Sequence, residues 1–264
     1  MKSVVYLSGL PRTGSTVLSS LLNQHPRIHA TTTSPVADLV SMALDNWGRL
    51  SGALVNPHPG QLGGILDGII SGAHQHVRED VVVDKNRLWP RYAEHLYRAT
   101  GIKPKIICTV RPIPEIMASY ILLIHKNSGR ITFIDAAVAE AGLPVNNKTR
   151  CKILLENFIN HPYTSLKIGY NSRAADMCFV HYRDLVEDSS ATMQKIYSFI
   201  GVEDHSADTA NLQDMEENDV FHGGIQGLHH VRPQLARTSP QATEVLGVDL
   251  AEYYSKMRLE FWQK

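Results

Sequence analysis

The sequence predicts an α/β fold, with a doubly wound and mainly parallel sheet flanked by helices. Two observations favour this fold. Short apolar runs rich in β-branched residues alternate with amphipathic segments of helical period. The runs are apolar at consecutive positions, which is typical of parallel strands buried on both faces. No internal repeat or low-complexity tract interrupts the alternation, and we therefore expect one domain over residues 1–264.

The first half of the chain alternates strands and helices around one insertion. Strands are predicted at residues 4–8, 27–31 and 81–83. Helices are predicted at residues 15–24 and 88–100. The region from about 36 to 80 has helical period with breaks at prolines and glycines, and we interpret it as a helical insertion.

The second half of the chain continues the alternation. Strands are predicted at residues 106–110 and 177–180. Helices are predicted at residues 114–124, 150–160, 190–200 and 250–262, and Gly201 is expected to end the third of them. Residues 126–150 are polar and are predicted to be irregular, and a second helical insertion is expected over about 125–170.

Composition narrows the class of protein. Lys and Arg together number 26, as do Asp and Glu, and this balance argues against a nucleic-acid binder, which usually has a basic face. The three cysteines, Cys108, Cys151 and Cys178, are an odd number without close spacing, which favours a reducing compartment. No apolar run is long enough for a signal peptide or a membrane span. We therefore expect a cytoplasmic protein that does not bind a membrane.

The segment after the first predicted strand has the spacing of a phosphate-binding loop. Gly9 and Gly14 are separated by four residues, and a helix follows. Glycine lets the backbone approach an anion, and a helix N-terminus directs free N–H groups at it. Ser15 stands where a nucleotide triphosphatase carries its lysine, and Arg12 lies inside the loop instead. This pattern favours a P-loop-containing fold that binds an anion shorter than a triphosphate.

A second candidate anion site follows the strand at 106–110. Arg111 is at the tip of this strand, and Ser119 comes eight residues later in the next helix. A guanidinium presents a planar fork of donors that matches phosphate oxygens. Arg111 and Ser119 are therefore predicted to hold one phosphate together.

The strand at 81–83 ends in an acidic and a basic residue, Asp84 and Lys85. A group-transfer reaction needs a base to remove the acceptor's proton and a cation to stabilise charge that develops on the leaving oxygen. The carboxyl ends of parallel strands form the ligand edge of such a sheet, so we expect both residues at the site.

These segments together resemble the PAPS-dependent sulfotransferases, which use 3′-phosphoadenylyl sulfate (PAPS) as donor. Residues 10–16, Leu-Pro-Arg-Thr-Gly-Ser-Thr, are similar to the family's 5′-phosphosulfate loop. The resemblance implies that Arg12 lies near the bridging oxygen of the phosphosulfate. It also implies that the backbone of Thr13, Gly14, Ser15 and Thr16, with the last two hydroxyls, holds the 5′-phosphate.

The same resemblance covers the strand followed by Arg111 and Ser119, which implies that these residues bind the 3′-phosphate that distinguishes PAPS from ordinary adenine nucleotides. A later segment is similar to a family motif that has Glu at its second position, and here it reads Tyr182-Arg183-Asp184-Leu185. The resemblance implies that Tyr182 lies near the nucleotide. Arg232 or His230 is expected to reach the 3′-phosphate, as late basic residues do in the family.

The catalytic residues are only partly implied by the resemblance. Lys85 matches the lysine that contacts the transferring group, and Asp84 resembles the general base of some heparan-type members. The cytosolic enzymes carry a catalytic His two residues after the lysine, where this chain has Arg87. Other members carry a Glu in the loop after the second strand, where the first nearby carboxylate here is Asp38. The base is therefore expected to be Asp84, with Asp38 as the alternative.

The function implied is transfer of a sulfuryl group from PAPS to a hydroxyl or amine of a small-molecule or glycan acceptor, with adenosine 3′,5′-bisphosphate (PAP) as product and no metal. Two alternatives remain at this point. The run of three valines before Asp84 also fits a Walker B strand, which would indicate a Mg²⁺-dependent kinase or hydrolase. A non-catalytic module that binds PAP is the other. The sequence leaves the acceptor and the oligomeric state open.

Overall fold

The computed structural model describes residues 2–215, 225–236 and 241–263. Its strands are β1 (Ser3–Gly9), β2 (Ile28–Ala30), β3 (Val81–Lys85), β4 (Ile106–Val110) and β5 (Met177–His181). They form one sheet in the order β2-β3-β1-β4-β5, and every pairing in it is parallel. The chain places β2 and β3 on one side of β1 and β4 and β5 on the other. This arrangement confirms the predicted doubly wound α/β fold.

The first six helices lie between residues 15 and 126 of the chain. They are α1 (Ser15–Leu22), α2 (Val36–Trp47), α3 (Ser51–Val55), α4 (Gln61–Ala73), α5 (Trp89–Thr100) and α6 (Ile113–Lys126). Helices α2 to α4 occupy the region that was predicted to be a helical insertion. Of these, α4 packs on α5 and thereby covers one face of the sheet.

The remaining helices follow β4 or flank β5. They are α7 (Phe133–Glu140), α8 (Asn147–Ile153), α9 (Asn160–Arg173), α10 (Tyr182–Glu187), α11 (Ser189–Ile200), α12 (Ala242–Leu246) and α13 (Val248–Ser255). Gly201 ends α11 with a left-handed φ of 91°, as predicted. Over the described ranges, no helix combines the length and apolar character needed to cross a bilayer.

Each face of the sheet has its own hydrophobic core. On one face, Leu18 and Leu21 of α1 and Ile196 of α11 pack with Val5 and Leu7 of β1. The opposite face is covered by α4, α5, α6 and α9. Because side chains alternate along a strand, neighbouring residues of β1 and β3 belong to different cores. This alternation decides which residues at the strand ends can reach the same site.

Three stretches differ from the sequence prediction. Residues 126–150 were predicted to be irregular, but they contain α7, whose first turn is capped by Thr132 accepting a hydrogen bond from the backbone N–H of Asp135. The helix predicted to end near residue 160 continues to Arg173, although Pro162 lies in it. A π-helical turn over Leu154–Ile159 joins α8 to α9. Such a turn shifts the backbone hydrogen bonds and lets a helix pass a proline. The tail helix is also shorter than predicted, ending at Ser255.

Helices α4 and α5 approach so closely that one glycine is required between them. A Cβ atom on Gly63 would lie 2.0 Å from the carbonyl oxygen of Ala99. The neighbouring Gly64 has open space around the same position. The two glycines therefore provide a matched pair in a single helix.

We expect Gly63→Ala to lower the free energy of unfolding by roughly 1–3 kcal/mol, because the helices must separate to admit the methyl group. Gly64→Ala should raise it by about 0.5–1 kcal/mol through better helix propensity. Urea unfolding followed by circular dichroism measures both. Equal effects of the two substitutions would contradict the close packing of α4 on α5.

Candidate functional site

The loop between β1 and α1 leaves the N-terminus of α1 open. Gly14 precedes the helix with a left-handed φ of 84°, and no side chain caps the first turn. A Cβ atom on Gly14 would lie 2.9 Å from a ring carbon of Tyr182. Both the backbone conformation and this contact therefore require glycine. An uncapped N-terminus keeps its N–H groups available for an anion.

Two further residues fix the shape of the loop. The Thr13 hydroxyl donates a hydrogen bond of 2.6 Å to the Leu10 carbonyl and lies 2.7 Å from the Thr109 hydroxyl on β4. Arg12 adopts a φ of 60°, which is uncommon for a residue other than glycine. Residues held in this region often belong to functional sites. The loop thus turns its arginine toward β4 while Thr13 anchors it.

The structure brings the two predicted anion sites together. Arg12 Nε donates a hydrogen bond of 3.2 Å to the Ser119 hydroxyl of α6, and its guanidinium also contacts the Leu228 carbonyl. Arg111 donates a hydrogen bond of 3.3 Å to the Arg12 carbonyl. The loop after β1 and the tip of β4 therefore line one cavity.

Arg111 is held rigidly at the tip of β4. Its side chain is only 4% exposed, and Nε lies 3.0 Å from a carboxylate oxygen of Glu115, one helical turn further on. The guanidinium carbon stacks 4.3 Å above the Tyr182 ring. These contacts orient the guanidinium but leave donors for a ligand, since an arginine carries five N–H bonds.

Lys85 reaches the same loop from β3. Its ammonium donates a hydrogen bond of 3.0 Å to the Thr16 hydroxyl in the first turn of α1. Its backbone N–H donates to the Thr31 hydroxyl at 2.8 Å. The ammonium is thereby held at the helix N-terminus, where an anion would be bound.

Asp84 is turned to the opposite face of the sheet from Lys85 and does not line the cavity. It is fully buried, and its two oxygens accept hydrogen bonds from the Ser34 hydroxyl at 2.5 Å and from the Trp89 indole N–H at 2.7 Å. His74 Nε2 lies 2.9 Å from the same carboxylate without forming a hydrogen bond. The approach of His74 to Asp84 connects the insertion at 36–80 to β3.

The cavity between these elements is strongly cationic. Its volume is about 460 Å³, within the range of small-ligand sites. The cationic lining residues are Arg12, Lys85, Arg87, Arg111, Lys126 and Arg232. Among the residues that the structure describes, no Asp or Glu lines it. A chain of zero net charge therefore concentrates positive charge in one cavity.

Most of the residues predicted from sequence line this cavity. They are Arg12, Gly14, Ser15, Thr16, Lys85, Arg111, Ser119, Tyr182 and Arg232. Thr13 does not line the cavity, but its hydrogen bonds fix the shape of the loop. Asp84 lies on the opposite face of the sheet from Lys85. His230 also lines it, with Nδ1 2.5 Å from a carboxylate oxygen of Asp214.

Sequence reasoning missed several lining residues, among them three that carry a charge or a phenol. Arg87 was noted only as a departure from the family motif, and Tyr120 and Lys126 of α6 were not considered. A signal was available for Tyr120, because it directly follows Ser119. Lys126 lies at the C-terminal end of an apolar helix, a position where cations commonly serve the helix dipole.

Comparison with known proteins agrees with this geometry. A model of the sulfotransferase family matches residues 5–206. A sulfotransferase structure from Alicyclobacillus acidocaldarius aligns with a TM-score of 0.52 and 16% identity, over 84% of this chain and 91% of that one. Sulfotransferase STF9 from Mycobacterium avium aligns with a TM-score of 0.50 and 11% identity, over 98% and 76% of the two chains. At these identities the likeness concerns the fold. No curated protein sequence matches the chain.

The contacts of Asp84 predict a large effect on stability. We expect Asp84→Ala to lower the free energy of unfolding by about 2–5 kcal/mol, because the buried Trp89 and Ser34 donors lose their acceptor. Asp38→Ala, at an exposed position, should change it by less than about 0.5 kcal/mol. Chemical denaturation of both variants provides the measurement. A small effect at Asp84 would show that its hydrogen bonds contribute little.

Proposed function

The chain belongs to the sulfotransferase family, and we propose that it transfers a sulfuryl group from PAPS to a hydroxyl or amine of a small-molecule or glycan acceptor. The observation that carries this proposal is the cavity with six Lys and Arg side chains and, over the described residues, no carboxylate. PAPS has two separate anionic groups, a 5′-phosphosulfate and a 3′-phosphate. A cavity with cations on several elements suits such a ligand.

The proposed donor site uses the two predicted anion sites. The uncapped first turn of α1, with Ser15 and Thr16, would hold the 5′-phosphate. Arg111 and Ser119 would bind the 3′-phosphate, and Arg232 would approach it from the later segment. The hydrogen bond from Arg12 to Ser119 supports this assignment, because it brings residues of both sites together in one cavity.

In the proposed reaction the acceptor oxygen or nitrogen attacks sulfur in line with the bond to the leaving phosphate oxygen. That bond breaks as the new one forms, the acceptor's proton passes to a base, and negative charge grows on the leaving oxygen. Arg12 and Lys85 are the cations nearest the first turn of α1, where this charge develops. Fixed donors at such a position stabilise the transition state more than the ground state. The proposed chemistry requires no metal.

The base remains a choice between Asp84 and Asp38. Asp84 would need to exchange its hydrogen bonds with Ser34 and Trp89 to accept a proton from an acceptor. Asp38 is exposed and accepts a hydrogen bond of 2.9 Å from the Asn86 amide, one residue beyond Lys85. Because a base must be accessible to the acceptor, we propose Asp38 before Asp84.

Nucleotide binding tests the donor site. We expect Arg12→Ala and Arg111→Ala each to weaken PAP binding by roughly tenfold or more, because each removes charged hydrogen bonds to a phosphate. Lys103→Ala, at an exposed position outside the cavity, serves as the control and should bind like the wild type. Isothermal titration calorimetry with PAP measures all four proteins.

The same titrations with ATP and Mg²⁺ and with AMP separate the alternatives. Tighter binding of ATP, dependent on Mg²⁺, would overturn the proposal in favour of a nucleotide kinase or hydrolase. PAP binding without turnover of PAPS over a broad acceptor panel would indicate a non-catalytic module instead.

Steady-state kinetics test the base. We expect Asp38→Asn to lower kcat by about a hundredfold or more, with PAP affinity unchanged, because general base catalysis typically contributes this much. Asp45→Asn, on the same helix, is the matched control. Full activity of Asp38→Asn would rule out Asp38 and leave Asp84 as the proposed base.

A further inference from the structure

Arg87 is an exposed cation that lines the cavity of the proposed donor site. It follows Lys85 by two residues, and its carbonyl accepts hydrogen bonds from the Ser8 hydroxyl at 3.3 Å and the Ser165 hydroxyl at 2.8 Å. Its side chain lines the cavity. With the residues that the structure describes, the guanidinium forms no hydrogen bond or ion pair. The backbone is therefore anchored while the charge is left for a ligand.

Tyr120 is a buried polar residue on the same cavity wall. It is only 4% exposed, and its hydroxyl has no hydrogen-bond partner in the described parts of the chain. Burial raises the pKa of Tyr120, although the positive charges of Arg87 and Arg12 act in the opposite direction. The phenol is thus near both guanidinium groups and stays protonated at neutral pH, as a hydrogen-bond donor.

A buried donor and an unpaired guanidinium facing one cavity indicate an anionic ligand. Both groups line the cavity without a protein partner among the described residues, so a ligand there can accept hydrogen bonds from both. Arg87 cannot act as a base, because arginine stays protonated in proteins. Its planar fork instead matches the paired oxygens of a carboxylate, phosphate or sulfate.

The proposed donor does not use this pair. The phosphosulfate is assigned to Arg12, Lys85 and the first turn of α1, and the 3′-phosphate to Arg111, Ser119 and Arg232. Arg87 follows the C-terminal end of β3, which β1 separates from β4 in the sheet order. An anion held there would belong to the second substrate.

We propose that the acceptor carries an oxyanion of its own, a carboxylate, phosphate or sulfate ester, and that Arg87 and Tyr120 bind it. This inference rests on the proposed sulfuryl transfer. It assigns Arg87 and Tyr120 to acceptor specificity, with the acceptor's hydroxyl or amine directed at the sulfuryl group beside Lys85.

The first test measures binding to the protein saturated with PAP. Benzoate, phenyl phosphate and the neutral benzamide are titrated by calorimetry into the wild type and into Arg87→Ala, Arg87→Gln and Tyr120→Phe. We expect at least one anionic probe to bind the wild type about tenfold tighter than benzamide. Both Arg87 variants should lose this preference, and Tyr120→Phe should reduce it several-fold.

Arg91→Ala is the matched control, because Arg91 is exposed near the start of α5 and does not line the cavity. It should keep the preference for anions. If PAP binds but the three probes bind alike, or the preference survives in both Arg87 variants, the inference is overturned while the proposed function stands. Failure of PAP to bind the wild type would overturn the proposed function itself.

The second test separates an acceptor role from a donor role. PAPS-dependent sulfation of 4-hydroxybenzoate, 4-hydroxyphenyl phosphate and 4-hydroxybenzamide is compared between wild type and Arg87→Gln. We expect the substitution to lower kcat/KM for an anionic acceptor about tenfold or more and to spare the neutral one. An equal loss for all three acceptors would assign Arg87 to the sulfuryl group of the donor and overturn the inference.

Discussion

The parallel pairing of β1 with β3 and β4 is the constraint on which the site depends. The carboxyl ends of parallel strands lie at the same edge of a sheet. This edge therefore brings together three segments that are far apart in the sequence, namely Lys85, the loop after Gly9 and Arg111. Each of these strand ends supplies a cation. A chain with no net charge thus forms a strongly cationic cavity, because topology and not composition determines the local charge.

Much of this arrangement could be predicted from the sequence, because its signals are local. Strand β4 has the predicted bounds, and the spacing from Gly9 to Gly14 correctly indicated a turn that only glycine accommodates. The order of strands and helices alone then predicted that the cations at the strand ends lie close together. Asp84 shows where this reasoning stops. Its neighbour Lys85 lies in the cavity, and strand alternation sends adjacent side chains to opposite faces.

The partners of Asp84 and Arg87 could not be predicted, because they come from distant parts of the chain. Ser34, His74 and Trp89 surround one carboxylate, and His74 belongs to the insertion whose packing the sequence left open. Arg87 and Tyr120 lie 33 positions apart and share a cavity wall only once α6 has packed on the sheet. Continuation of a helix past Pro162 depends likewise on a π-helical turn that no local pattern indicates.

The contact between Arg12 and the Leu228 carbonyl has a consequence for how the proposed donor would bind and leave. The Leu228 carbonyl accepts a hydrogen bond from the guanidinium that the proposed phosphosulfate would contact. Binding of the proposed donor would therefore exchange one acceptor of the Arg12 guanidinium for another, and the Leu228 carbonyl would give up this contact. When the spent nucleotide departs, the carbonyl can compete for the same donors and assist its release.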